Sequence, residues 1–233
     1  MTDIVITDLT RFSQPIDVCT AGIDLATGEC IRPMPYLKMA SCVECQLLPG
    51  SVLRGDFKPR AGLHGPHRED ADYSQLTVVG ACSSAEFEAA LMAGLRADVR
   101  TGFEIDLQSN QKFVPTGHPA PRSIITLAVN PGSIEVIEDA YKPGKVKVHF
   151  TDSSGRAFRF LPITDLGFFR YAESHRATSA LHQLNAFIRR QEKVYVRLGL
   201  SRPWNNGTVD GCWMQVNGIY TFPDFFKDIR SYG

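Results

Sequence analysis

The stretch Arg202-Pro203-Trp204, followed by Asn205-Asn206-Gly207 and then by Trp213, Gln215, Asn217 and Tyr220, concentrates groups that recognise flat, polar ligands. Arg202 carries a planar fork of donors suited to a phosphate or to a guanine edge. Trp204 and Trp213 offer faces on which a ring can stack, and the amides carry the donor–acceptor pairs that read base edges. On a strand starting at Cys212, alternation puts Trp213, Gln215 and Asn217 on one face and Met214 and Val216 on the other. The competing reading makes Trp213 a core residue and the amides partners of loop backbone.

A second group is basic. Lys145, Lys147 and His149 form the polar face of a strand whose other face is Val146, Val148 and Phe150, and Arg156 and Arg159 lie across the following hairpin. Such a strip suits a phosphate backbone; an ordinary solvated edge has the same pattern. Arg32, just before Pro33, is an isolated further candidate. The run from His64 to Asp72 includes His64, His67, Asp70 and Asp72, which suit a divalent metal or acid–base work. Their spacing matches no motif with a known mechanism, and polar loops of this kind more often cap and solvate. Cys42-Val43-Glu44-Cys45 is a lone CxxC without the second pair a zinc ribbon needs. GxxxxGK[ST], GxGxxG, GxSxG and HExxH are all absent, which removes the commonest nucleotide-hydrolase, dinucleotide, α/β-hydrolase and zinc-protease readings and leaves no cofactor to expect.

What positions these residues must fit within 233 residues, 43% of them hydrophobic, enough for one large domain or two small ones. No apolar run is long enough for a membrane helix, no basic-then-apolar leader opens the chain, and six scattered cysteines read as reduced thiols. A cytoplasmic protein without membrane contact is the expectation. Net charge is zero, against indiscriminate coating of nucleic acid. The average hides an asymmetry: eight acids to three bases over 61–110, but twelve bases to five acids over 139–203.

Strands are expected at 4–7, 16–24, 29–32, 51–57 and 75–82, with a long loop at 58–74. A helix follows from Ser83 or Ser84 to about Leu95, with Glu86 placed for a capping box and Phe87, Leu91 and Leu95 on one face. Residues 108–121 look like a crossing between two modules. Strands at 123–130 and 133–138, interrupted by Pro131-Gly132, precede strands at 145–151 and 157–161 joined by Asp152-Ser153-Ser154-Gly155. A helical insert spans about 165–191, in two pieces from Asp165 to Glu173 and from Thr178 to Gln191. Strands at 194–200 and 212–219 finish the chain. Three strands, a helix and two strands is the OB order, clear in the second half and looser in the first. The expected fold is therefore mainly β with α (α+β): two OB-like β-barrels in tandem with helices between strands, residues 1–110 and 111–233.

Several stretches together resemble a prokaryotic family of dual OB-fold domain proteins. They are Cys19–Asp24 with Ile31-Arg32-Pro33, Leu161–Leu166, Gly199–Trp204 and the run from Cys212 to Asp224. The similarity spans nearly the whole chain and is most specific at its C-terminal motif. It implies nucleic-acid or nucleotide-linked recognition in genome defence or repair, beside an effector protein encoded separately, and it supplies no catalytic residue set. The expectation is thus a nucleic-acid-binding recognition module, for DNA or RNA. One alternative is a metal-dependent enzyme acting on a nucleotide or nucleic acid through the 64–72 loop. The other is an interaction adaptor using an exposed patch of Phe222, Phe225 and Phe226, unless that tail docks the chain end instead.

Overall fold

The computed structural model describes residues 1–142, 145–176 and 179–230; it is mostly β with a few helices. Strands β1 (Thr2–Arg11), β2 (Asp17–Asp24) and β3 (Cys30–Met34) precede helix α1 (Met39–Glu44), and β4 (Ser51–Pro59) and β5 (Asp70–Ala81) follow it. β1 pairs antiparallel with both β2 and β4, β2 with β3, and β4 with β5, while β3 and β5 run parallel. These pairings close a five-stranded barrel in OB order, with the helix between the third and fourth strands. Ile4, Ile6, Leu9, Val18 and Leu53 fill it. β1 is buried from Ile4 to Thr10 rather than on alternate residues. Its outer face is covered too, with Val5 and Ile23 packed under Ala90 of the next helix.

That helix, α2 (Ser84–Ala93), starts at the expected capping box: the Glu86 amide donates to Ser83 Oγ (3.2 Å) and the Ser83 amide to Glu86 Oε2 (2.7 Å). Ser83→Ala is expected to lower the unfolding free energy by about 1 kcal/mol in urea denaturation. Phe87 and Leu91 do share a face; the helix ends at Ala93, so Leu95 lies in a short strand beyond it, and all three pack with Tyr195, Tyr220 and Phe222.

α3 (Val99–Phe103) and β6 (Phe113–Pro115) lead into the second half. Then come β7 (Ile124–Val129), β8 (Glu135–Glu138), β9 (Val146–Thr151), β10 (Ala157–Pro162), α4 (Leu166–Ser174), α5 (Ala180–Arg189), β11 (Lys193–Leu200) and β12 (Asp210–Phe222). β7 and β8 are separated by a single 3₁₀ turn at Pro131–Ser133, the interruption expected there. β8, β9 and β10 form one sheet, and β7, β11 and β12 the centre of another. A parallel bridge between Ile163 and Val216 links the two. The sequence of pairings repeats that of the first half, with the first strand bent across both sheets. Phe103, Ile125, Leu127, Val148, Phe158 and Val196 are in its core. Asp165 caps α4 by accepting from the Phe168 amide (2.9 Å). The expected start of the second helix, Thr178, lies outside the described residues; α5 presents Leu181, Leu184 and Ile188 to the core.

Two expectations need correction. Residues 58–74 are not one loop, because β4 runs to Pro59 and β5 starts at Asp70. Asp72 and Tyr73 are strand residues paired with Lys58 and Phe57; their polar composition marks an exposed strand face. The crossing at 108–121 also contains β6, an added strand on β12. No described helix is long and apolar enough to cross a membrane.

The halves are bolted together by charge. Arg197 on β11 and Asp8 on β1 are both 1% exposed, with Arg197 Nη2 and Nε donating to Asp8 Oδ2 at 2.5 and 2.9 Å. Arg197 Nη1 reaches Thr126 Oγ1 on β7 (3.0 Å). One of the twelve bases counted over 139–203 is therefore interior.

Candidate nucleic-acid interface

The β9–β10 hairpin carries the outward chemistry of the second half. Val146, Val148 and Phe150 point into the core, as alternation requires; Lys145 is exposed, and Lys147 and His149 are half-buried on the outer face. The pairing jumps from Val148–Leu161 to Phe150–Phe158, so His149 faces two residues, Arg159 and Phe160. This β-bulge turns both outward. Phe160 takes a left-handed backbone (φ +58°), unusual for a bulky residue and a mark of local strain. Its ring stands 4.6 Å from His149 and 5.9 Å from Tyr141, both edge-on, and 6.0 Å from Lys112 Nζ. Lys112 also donates to the Arg159 carbonyl (2.8 Å). Burial lowers the pKa of Lys112, Lys147 and His149; for His149 the neighbouring Arg159 adds to it. Cations partly stripped of water interact more strongly with an arriving anion than hydrated ones do.

The belt continues through Phe113, next to Lys112, to the start of β12. The Phe113 ring lies 5.1 Å from Trp213, and Trp213 lies 6.1 Å from Trp204, donating Nε1–H to the Trp204 carbonyl (3.2 Å). Trp204 is 60% exposed. Gln215, half-buried, shares the Trp213 face as alternation predicts. Asn217 does not. The β11–β12 register shifts from Arg197–Gly218 to Leu198–Val216, leaving Asn217 as the bulged residue. It is buried against Gly199, where an added Cβ would meet its amide at 2.3 Å, and it accepts from Thr164 Oγ1 (3.1 Å). Tyr220 is interior as well: its hydroxyl donates to the Thr7 carbonyl (2.6 Å).

Arg32, His67, Asp70 and Arg202, four residues from three sequence signals, meet at the seam between the halves. Arg32 is 4% exposed and donates Nε to Asp70 (2.6 Å) and Nη1 to Ser123 (3.2 Å). Arg202 holds the other side of Asp70 (2.8 Å) and donates Nε to the Tyr36 hydroxyl (3.0 Å). Arg32 is thus a structural ion-pair residue, and Arg202 is half-exposed but engaged. Burial, then Arg32 and Arg202, push the His67 imidazole down to about 4. His64 is exposed, and Asp72 pairs with Arg60 (2.7 Å). Among the described residues no three of His, Cys, Asp and Glu gather to hold a metal. Cys42 is buried and Cys45 exposed. In the tail, Phe222 is buried, Phe226 packs on the core and Phe225 stays exposed.

The closed barrel and the repeated strand order agree with a sequence comparison: the profile of the Dual OB-containing domain family matches residues 3–219. The chain belongs to that family. No curated protein and no solved structure matches it. In this dual OB-containing domain, the sequence reading had Trp204, Trp213, Lys145, Lys147 and Arg159 of the belt, but not its other rings. Phe113, Tyr141 and Phe160 lack a signal of their own. Strict alternation from Phe158 would send Phe160 into the core, and only the bulge reverses it.

Proposed function

We propose that this dual OB-containing domain is a nucleic-acid-binding module that takes an unpaired strand along the belt from Trp204 to Tyr141. The observation that carries this is proximity: one ring group joins Tyr141, His149 and Phe160, another joins Phe113, Trp213 and Trp204, and Lys112 lies against Phe160 and next to Phe113 in the chain. The rings meet edge-on or tilted rather than stacked on one another, so faces remain free for bases. The β9–β10 surface is also the strand pair with which OB barrels usually bind oligonucleotides. The reading takes the chain as two OB units in tandem, divided near residue 110, with the belt on the second.

Fluorescence anisotropy with labelled single-stranded DNA, RNA and duplex tests it. Single strands should bind saturably, and duplex more weakly. Trp204→Ala and Phe160→Ala should each weaken binding by roughly 5- to 100-fold, the loss of about 1–3 kcal/mol per stacked base. Arg159→Gln should flatten the dependence on log salt by about 0.7. Unchanged affinity in both ring variants would remove the belt from the proposal.

A further inference from the structure

Both halves line a cavity of about 400 Å³. The first half contributes Pro49, Cys82 and Phe87, and the second Leu184, Phe187 and Ile188. Tyr220 and Phe222, at the end of β12, and Phe226 complete a wall that is largely aromatic. Its size lies within the range of small-molecule sites, and a seam between units is a common place for one.

One cation lines the same cavity. Arg230 lies 4.6 Å above the Tyr220 ring, donates Nη1 to Asp165 (2.9 Å) and donates Nη2 to the Ile219 carbonyl (3.0 Å). Its Nε makes no hydrogen bond to a described residue, and a guanidinium has five N–H groups. The Asp165 pairing leaves the site without net charge but with donors to spare. Ser84, at the start of α2, adds another donor to the lining.

We propose that this cavity is a binding site for a small amphipathic molecule with a planar apolar body and a hydrogen-bond-accepting head. The aromatic wall takes the body by stacking and edge contacts. The free Arg230 donors take the head, and they exclude a purely hydrocarbon ligand by the cost of leaving them buried and unpaired. The site is independent of the nucleic-acid belt, whose residues are absent from its lining.

The probe is 1-anilinonaphthalene-8-sulfonate, which has such a body and such a head, titrated into the full chain by fluorescence and calorimetry. Binding should be saturable with one molecule per chain. Leu184→Trp, which fills the cavity, and Ser84→Trp, at its exposed rim and harmless to the core, should each weaken binding at least tenfold. Trp204→Ala should leave it unchanged. Circular dichroism identifies a variant that has lost its fold, and the rim variant then decides. Absence of saturable binding overturns the proposal. So does binding that survives in the folded cavity variants or disappears in Trp204→Ala, which would put the probe on the belt.

Discussion

Arg197→Met should lower the unfolding free energy by about 3–5 kcal/mol, the usual cost of leaving one charge of a buried pair without its partner. Asp8 would keep only the Thr7 hydroxyl, at 2.8 Å, while its Oδ1 already lacks a hydrogen bond. The pair ties β1 of the first half to β11 of the second, so the variant should also broaden the urea transition as the halves unfold less cooperatively. The double variant Asp8→Leu with Arg197→Met removes both charges and should recover most of the loss, because a well-packed apolar pair of similar volume often replaces a buried ion pair at little cost. A loss below about 1 kcal/mol in the single variant would mean that this pair is not what holds the seam.

The second large effect is a loss of stability in mild acid. His67 is 4% exposed, and burial and the two guanidinium groups of Arg32 and Arg202 hold it at about 4 against an ordinary value of 6.5; Asp70 opposes them. The unfolded chain therefore binds a proton more readily than the folded one between those values. The contribution is fully present above pH 6.5 and is lost as the pH falls towards 4. Roughly 3 kcal/mol follows from a difference of about 2.5 units at 1.36 kcal/mol each. His67→Gln, which stays neutral, should flatten that slope between pH 4 and 6.5 and leave stability at pH 8 nearly unchanged. An equally steep profile in His67→Gln would assign the acid sensitivity elsewhere. The Asp70 carboxyl, whose pKa Arg202 and Arg32 lower against the opposing effect of burial, releases its own contribution only below its ordinary range, outside this window.

Both predictions rest on residues whose meaning was not local. Arg32, His67, Asp70 and Arg202 read as three separate sequence signals: a lone arginine, a polar loop and a C-terminal motif. Their convergence depends on β3 and β5 running side by side in parallel, with Arg32 opposite Asp70, and on the chain after β11 folding over that edge. Such pairings join residues with no common period. Arg197 shows the same limit, since it counts as one more base in a basic half until β1 is laid against it.

Features set by short-range physics were legible in the residues alone. Alternation put Val146, Val148 and Phe150 inward and the lysines outward. Asp152–Gly155 closed the hairpin, Ser83 and Glu86 started α2, and the second half read as strands, a helical insert and two further strands. Each follows from backbone conformation and burial over a few residues. Tertiary structure decided the closure of the first barrel, the exposure of Phe160, and the burial of Asn217 and Tyr220. A bulge shifts every later side chain to the other face of its strand, and whether one forms depends on how two strands settle against the rest of the barrel. The belt and the cavity share this origin: their residues come together only when distant strands and both halves are packed.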